Sequence, residues 1–316
     1  MTRLVVAILT VSLGALASGA GPAVSQDPAP PTFKAGVDLV SVSVVVKNHK
    51  GKPVTGLSRK DFELFDSGRM RDIADFRSDA SAVSVAVLLD TSGSMHISGK
   101  WNAARDAVAR LAAELENGRD HIALFAFDSE LHVVQPFTTS PDAVVKALSK
   151  VQPWGSTAMF DAVSETGKKL AEEGGMRRAI VVVTDGLDNR SRLDATDVSA
   201  AASAIDVPVY SFVVSSLLDK DNAALASESG ALTRSRGTLD DLSRWTGGNA
   251  YVSATPMETD IAVKQIVTEL RHQYVISFES GASAGWHPLL VRVHEGNDFV
   301  VRTRSGYMAG PRGGRS

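Results

Sequence analysis

Asp90-Thr91-Ser92-Gly93-Ser94 sets one carboxylate and two hydroxyls at the spacing i, i+2, i+4. The segment follows Val83–Leu89, a strongly apolar run of the length expected of a buried strand. A strand ending this way presents hard oxygen ligands at the edge of a sheet, which suits a small divalent cation such as Mg²⁺ better than zinc or copper. A cation held there with one open position is a means of gripping a carboxylate on another protein. Alone the pattern is weak, because Asp, Ser and Gly also build ordinary turns and helix caps.

Two further segments strengthen it. Gly155-Ser156-Thr157 is a small-residue loop before a helical pattern that starts at Met159, and Asp185-Gly186 ends the apolar run Ala179–Thr184. In an open α/β sheet the loops beyond the carboxyl ends of parallel strands gather at a topological switch point, where ligands bind. Asp90, Ser92, Ser94, Thr157 and Asp185 are therefore the candidate metal ligands. Asp188 and Asn189 read as turn residues beside the third loop. Met95, His96 and Ile97 either rim the site or pack beneath the first loop.

Other chemistries lack their residues. Gly93–Lys100 has one residue too many between its glycines for a phosphate-binding P-loop, and Trp101 stands where Ser or Thr is required. The seven histidines form no paired metal spacing, and no Gly-x-Ser-x-Gly turn is present. No carboxylate pair stands out as a general acid and base. The chain is not expected to be an enzyme.

The elements that must position these residues change character along the chain. Val37–Val46 alternates, with Val40, Val42, Val44 and Val46 on one face, as in a half-buried strand. Short strands are expected over Phe62–Phe65 and Ile73–Phe76. From Val83 onward, strand-like runs alternate with helical patterns, the signature of βαβ units and a mostly parallel sheet. Strands are expected at His121–Phe127, Leu131–Val134, Ala179–Val183, Val207–Val214 and Asn249–Val252. Helices are expected at Trp101–Leu115, Pro141–Lys150, Met159–Glu173, Asp194–Ile205 and Thr259–Leu270. Leu218–Thr238 gives no clear pattern. From Gln273 the period returns to two. Too few strands lie at either end to bury a face alone, so the fold class expected is a doubly wound α/β domain inserted in one small β-sandwich built from both ends.

The chain has 316 residues, and 44% are apolar, enough for a proper core. A net charge of −3 leaves no basic footprint, so nucleic acid is not an expected partner. There is no cysteine, which removes disulfides and thiolate chemistry. Arg3, the apolar Leu4–Leu16 and the small residues after it read as an export signal, cleaved after Ala20 or after Ser25. No later segment could span a bilayer. A secreted, periplasmic or cell-envelope location follows. The organisation expected is signal peptide 1–25, leader 26–34, sandwich 35–80 and 272–309, α/β domain 81–271 and tail 310–316.

Three loops of this kind, in this order, resemble the von Willebrand factor A family and its metal-ion-dependent adhesion site. Asp90-Thr91-Ser92-Gly93-Ser94 matches that family's Asp-x-Ser-x-Ser loop, Thr157 its lone threonine and Asp185-Gly186 its third loop. The resemblance covers roughly Val83–Leu270. It implies Mg²⁺, with Mn²⁺ or Ca²⁺ as alternatives, held directly by Ser92, Ser94 and Thr157 and partly through water by the aspartates. It also implies a protein partner whose Asp or Glu completes the coordination. Gly56–Phe62 and Gly306-Tyr307 resemble the flanks of secreted bacterial proteins that carry one such domain. A metal-dependent hydrolase and an architectural envelope protein, with the metal only stiffening the loops, are the competing functions.

Overall fold

A computed structural model describes residues 39–79, 81–173, 177–186, 207–215, 239–280, 283–294 and 299–310. They belong to one compact unit, Val37–Ser316. Its centre is a six-stranded sheet. In sequence order its strands are β5 (Val83–Asp90), β6 (His121–Phe127), β7 (Leu131–Thr138), β8 (Arg177–Thr184), β9 (Val209–Val214) and β10 (Ala250–Ser253). Across the sheet the order is β10-β9-β8-β5-β6-β7, parallel except for the edge strand β7. Every residue of β5 is buried. Such a strand must feed two cores, which is why its sequence reads as a continuous apolar run and not as an alternation.

Val83, Val85, Val87 and Leu89 point into one core with α1 (Lys100–Ala113), α2 (Pro141–Leu148) and α4 (Pro256–His272). Ala86 and Leu88 point into the other with α3 (Met159–Glu172) and a helical stretch over 239–246. The start of α4 is fixed by a reciprocal cap. Thr255 Oγ1 accepts from the Glu258 amide at 3.3 Å, Glu258 Oε2 accepts from the Ala254 amide at 2.7 Å, and Pro256 supplies the first helical residue.

The ends of the chain build two antiparallel sheets. One, ordered β13-β1-β11-β4, joins β1 (Leu39–Lys47) and β4 (Ile73–Arg77) to β11 (Tyr274–Glu279) and β13 (Val300–Arg302). The other, ordered β14-β12-β2-β3, joins β2 (Phe62–Asp66) and β3 (Arg69–Arg71) to β12 (Gly285–Val293) and β14 (Gly306–Ala309). Val42, Val44 and Val46 of one sheet share a core with Leu64, Leu289, Val291 and Tyr307 of the other. Both sheets need strands from before and after the α/β unit, so the sandwich is discontinuous and the α/β unit is inserted in it.

Arg177, buried at the start of β8, ties the junction together. Its guanidinium donates to the carbonyls of Leu270 and Arg271 at the end of α4, to the Asp79 carbonyl and to Ser81 Oγ. Helix ends leave carbonyls without partners, and a buried cation satisfies them. Among the described residues no helix is long and apolar enough to cross a membrane. The expected helix Asp194–Ile205, the segment Leu218–Thr238 and residues 1–34 lie outside the described residues.

Candidate metal centre

Strands β5 and β8 are neighbours, but the chain leaves β5 toward β6 and returns on the opposite side through β8. Their carboxyl ends therefore form the switch-point crevice expected of an open α/β sheet. Asp90 is the last residue of β5 and Asp185 follows the last residue of β8, and both are buried. The register sets Leu89 beside Val183, which brings Thr184 next to Asp90. Thr184 Oγ1 donates to Asp90 Oδ2 at 2.6 Å, and the Ser92 amide donates to Asp90 Oδ1 at 2.8 Å. Both oxygens of Asp90 are thus oriented by the chain around them.

The first loop folds over this carboxylate. Ser92 and Ser94 lie with their hydroxyls 3.0 Å apart, and the Thr91 amide and hydroxyl both donate to the Phe127 carbonyl at 2.9 Å. Three hydrogen bonds stitch the second loop to the first. The Gly93 amide donates to the Gly155 carbonyl at 2.9 Å, the Trp154 amide to the Thr91 carbonyl, and His96 Nε2 lies 2.8 Å from the Pro153 carbonyl. Gly155 has φ +115°, and a Cβ there would stand 2.9 Å from the Asp128 Cβ, so the loop needs glycine at this position. Thr157, two residues on, is buried. Met95 packs beneath the first loop, whereas Ile97 and Trp154 are exposed beside it. Asp188 and Asn189 lie outside the described residues.

Electrostatically the crevice is unfinished. Burial pushes the Asp90 carboxyl up to about 6; its hydrogen bonds from Thr184 and Ser92 oppose the shift, and the nearby Asp185 charge adds to it. Lys100 Nζ donates to Asp185 Oδ2 at 3.2 Å. Asp185 Oδ1 is buried with no hydrogen-bond partner among the described residues. Buried polar atoms are nearly always partnered, so an orphaned carboxylate oxygen in the crevice is an exception. Two carboxylates with serine and threonine hydroxyls are a hard-oxygen set, and they fit a divalent cation.

Away from the crevice lies a second polar cluster that the sequence patterns did not announce. His287 Nδ1 is 2.8 Å from Asp66 Oδ1, while His287 Nε2 is 3.1 Å from Ser283 Oγ and 2.9 Å from the Ser283 carbonyl. The residue types are those of a nucleophile, base and acid relay. However, an acceptor faces each ring nitrogen, and Arg71 already pairs with Asp66 at 3.0 Å. The ring is held between Asp66 on one strand and Ser283 beside the other. The cluster ties β2 to β12.

Residues 85–187 match the sequence model of the von Willebrand factor type A domain, and this span contains all five candidate ligands. In structure the chain is similar to the conserved hypothetical protein BatB from Bacteroides thetaiotaomicron, at 19% identity over 60% of this chain and 98% of that one, with a TM-score of 0.47. It is also similar to a von Willebrand factor type A protein from Catenulispora acidiphila, at 12% identity over 89% of this chain and 76% of that one, with a TM-score of 0.47. A third is proximal thread matrix protein 1 from the mussel byssus with a zinc-occupied MIDAS motif, at 13% identity over 65% of this chain and 49% of that one, with a TM-score of 0.48. No curated protein matches the chain. The segment that matches the von Willebrand factor type A domain, residues 85–187, spans all three loops of the crevice.

Proposed function

We propose that the crevice holds a divalent cation, Mg²⁺ in the first place, and through it binds a carboxylate of a partner protein in an exported setting. The observation that carries this reading is Asp185 Oδ1, buried and unpartnered beside a second buried carboxylate. Asp90, Ser92, Ser94, Thr157 and Asp185 are the ligands in this reading. When bound, the cation supplies two positive charges and a coordination position open to an oxygen anion. Thr184 and the Ser92 amide orient Asp90, the Ser92–Ser94 contact aligns two hydroxyls, and the bonds from Gly93 and Trp154 set the second loop against the first. The exported setting rests on Arg3 and the apolar Leu4–Leu16.

Binding is favoured over hydrolysis because a hydrolase needs a base at the open position. His96, on the same loop, lies with its Nε2 against the Pro153 carbonyl, where it ties the two loops together. Calorimetric titration with Mg²⁺ and Mn²⁺ tests the metal. The wild type is expected to bind, and Asp185→Ala and Asp90→Ala to lose at least about tenfold in affinity, since a partner is removed from a buried charge contact. Capture of envelope proteins on the immobilised domain should then disappear in EDTA. Undiminished capture in chelator would refute the metal bridge, and phosphoester turnover that vanishes in Asp185→Ala would replace it with the hydrolytic reading.

A further inference from the structure

Lys100 occupies a position that helix electrostatics disfavour. It is the first residue of α1, follows a left-handed Gly99, and has no acidic residue in the first turn to offset it. The amino end of a helix carries partial positive charge and repels a cation. The sequence pattern offered only a failed phosphate-loop lysine at this place. Yet the side chain is only 13% exposed, and its ammonium is directed at the oxygen of Asp185 opposite the orphaned one. Lysine stems ordinarily carry their charge out to water. This one turns its charge inward.

We infer that Lys100 is a built-in counter-ion of the metal centre, which weakens the hold on the cation and strengthens the hold on an incoming carboxylate. The inference rests on the proposed metal-binding reading and deepens it. Asp185 divides its two oxygens, Oδ2 to Lys100 and Oδ1 to the site. The carboxylates of Asp90 and Asp185 and the Lys100 ammonium that pairs with Asp185 together sum to one negative charge. A divalent cation therefore leaves a surplus of one positive charge, which one partner carboxylate neutralises. Without the lysine, the same carboxylates would balance the cation by themselves, and an added carboxylate would bring uncompensated negative charge into a crevice whose carboxylates are buried.

The two effects of removing Lys100 have opposite directions, which a purely structural role would not produce. Lys100→Met is expected to bind Mn²⁺ at least about tenfold more tightly by calorimetry, because like charges a few ångströms apart in a partly buried site repel by more than that equivalent. Acetate titrated into the Mn²⁺-loaded variant, followed by water-proton relaxation, is expected to bind more weakly than in the wild type. Lys100→Arg keeps the charge and should behave as the wild type in both titrations. Lys100→Gln serves in place of Met if the latter fails to fold, with the same expectation. Mn²⁺ affinity that is unchanged or lower in the neutral variants overturns the role of Lys100 and leaves the metal site standing. An absence of Mn²⁺ binding in the wild type overturns both.

Discussion

The two ends of the central sheet treat buried charge in opposite ways. At the amino ends of the strands it is matched. Asp120, buried, accepts from the Val83 amide at 3.1 Å and the Glu116 amide at 2.8 Å, and pairs with Arg271 at 2.8 Å. Glu269, almost without exposure, pairs with Lys47 of β1 and Arg302 of β13 and accepts from the Tyr251 hydroxyl at 3.0 Å. These contacts join the inserted unit to the sandwich. At the carboxyl ends, Asp90 is held by neutral donors, and Asp185 pairs with Lys100 through one oxygen but keeps the other without a partner. Charge that serves the fold is neutralised within the chain; charge left unbalanced in a crevice points to a ligand.

The widest separation between the two ends should appear with Glu269→Gln. It leaves Lys47 and Arg302 facing a neutral group, and removing one partner of a buried ion pair costs about 3 kcal/mol or more. The low end applies here, because Lys47 and Arg302 remain 17% and 20% exposed. Urea unfolding should show the loss, while Mn²⁺ affinity stays that of the wild type. A fall in metal affinity of the same size would mean that the ends are not independent.

Next in size is pH, where the two ends should act with opposite sign. Burial raises the Glu269 carboxyl, but Arg302 and Lys47 outweigh it and hold the group below its usual 4.5. Its contribution is therefore present above 4.5 and lost as the pH falls through the lower folded value. Asp90 is raised from 3.8 to about 6, so between these values the folded protein binds more protons than the unfolded chain, and stability falls as the pH rises. In EDTA, stability should increase by at most about 3 kcal/mol on acidification from pH 7 toward 4, an effect that Asp90→Asn removes. With Mg²⁺ in excess the gain should shrink or vanish. Equal gains with and without Mg²⁺ would detach Asp90 from the metal.

The smallest effect is local. Gly155→Ala forces a side chain into a positive-φ conformation against Asp128, at about 1–2 kcal/mol. Because Gly155 is bonded to Gly93, Mn²⁺ affinity should fall with the melting temperature, unlike in Glu269→Gln. An alanine variant with wild-type affinity would show that the second loop is not held through this glycine.

The sequence made some elements legible and hid others for identifiable reasons. The strands β5, β6 and β8 were readable because continuous apolar runs have few alternatives once helices flank them. β7 runs to Thr138, beyond the expected Val134, because an edge strand with one open face tolerates Gln135 and Pro136. β3 and β14 carried no signal: three and four residues are too short for a period to show. The polar ties were invisible for a different reason. Glu269 lies 222 residues from Lys47, and Asp66 lies 221 from His287. Residue types on a helix face or a strand do not reveal partners so distant.

For the candidate site, local sequence determined the donors. Asp90, Ser92 and Ser94 fall at fixed spacing in one loop, Thr157 and Asp185 each end or precede a recognisable element, and hard oxygen chemistry follows from their types alone. The tertiary structure decided what the donors meet. Strand order placed Asp185 beside Asp90, burial raised one carboxylate, and the fold turned Lys100 inward onto the other. The physical reason is that ligand type is a property of each side chain, whereas charge balance belongs to a place where distant segments converge.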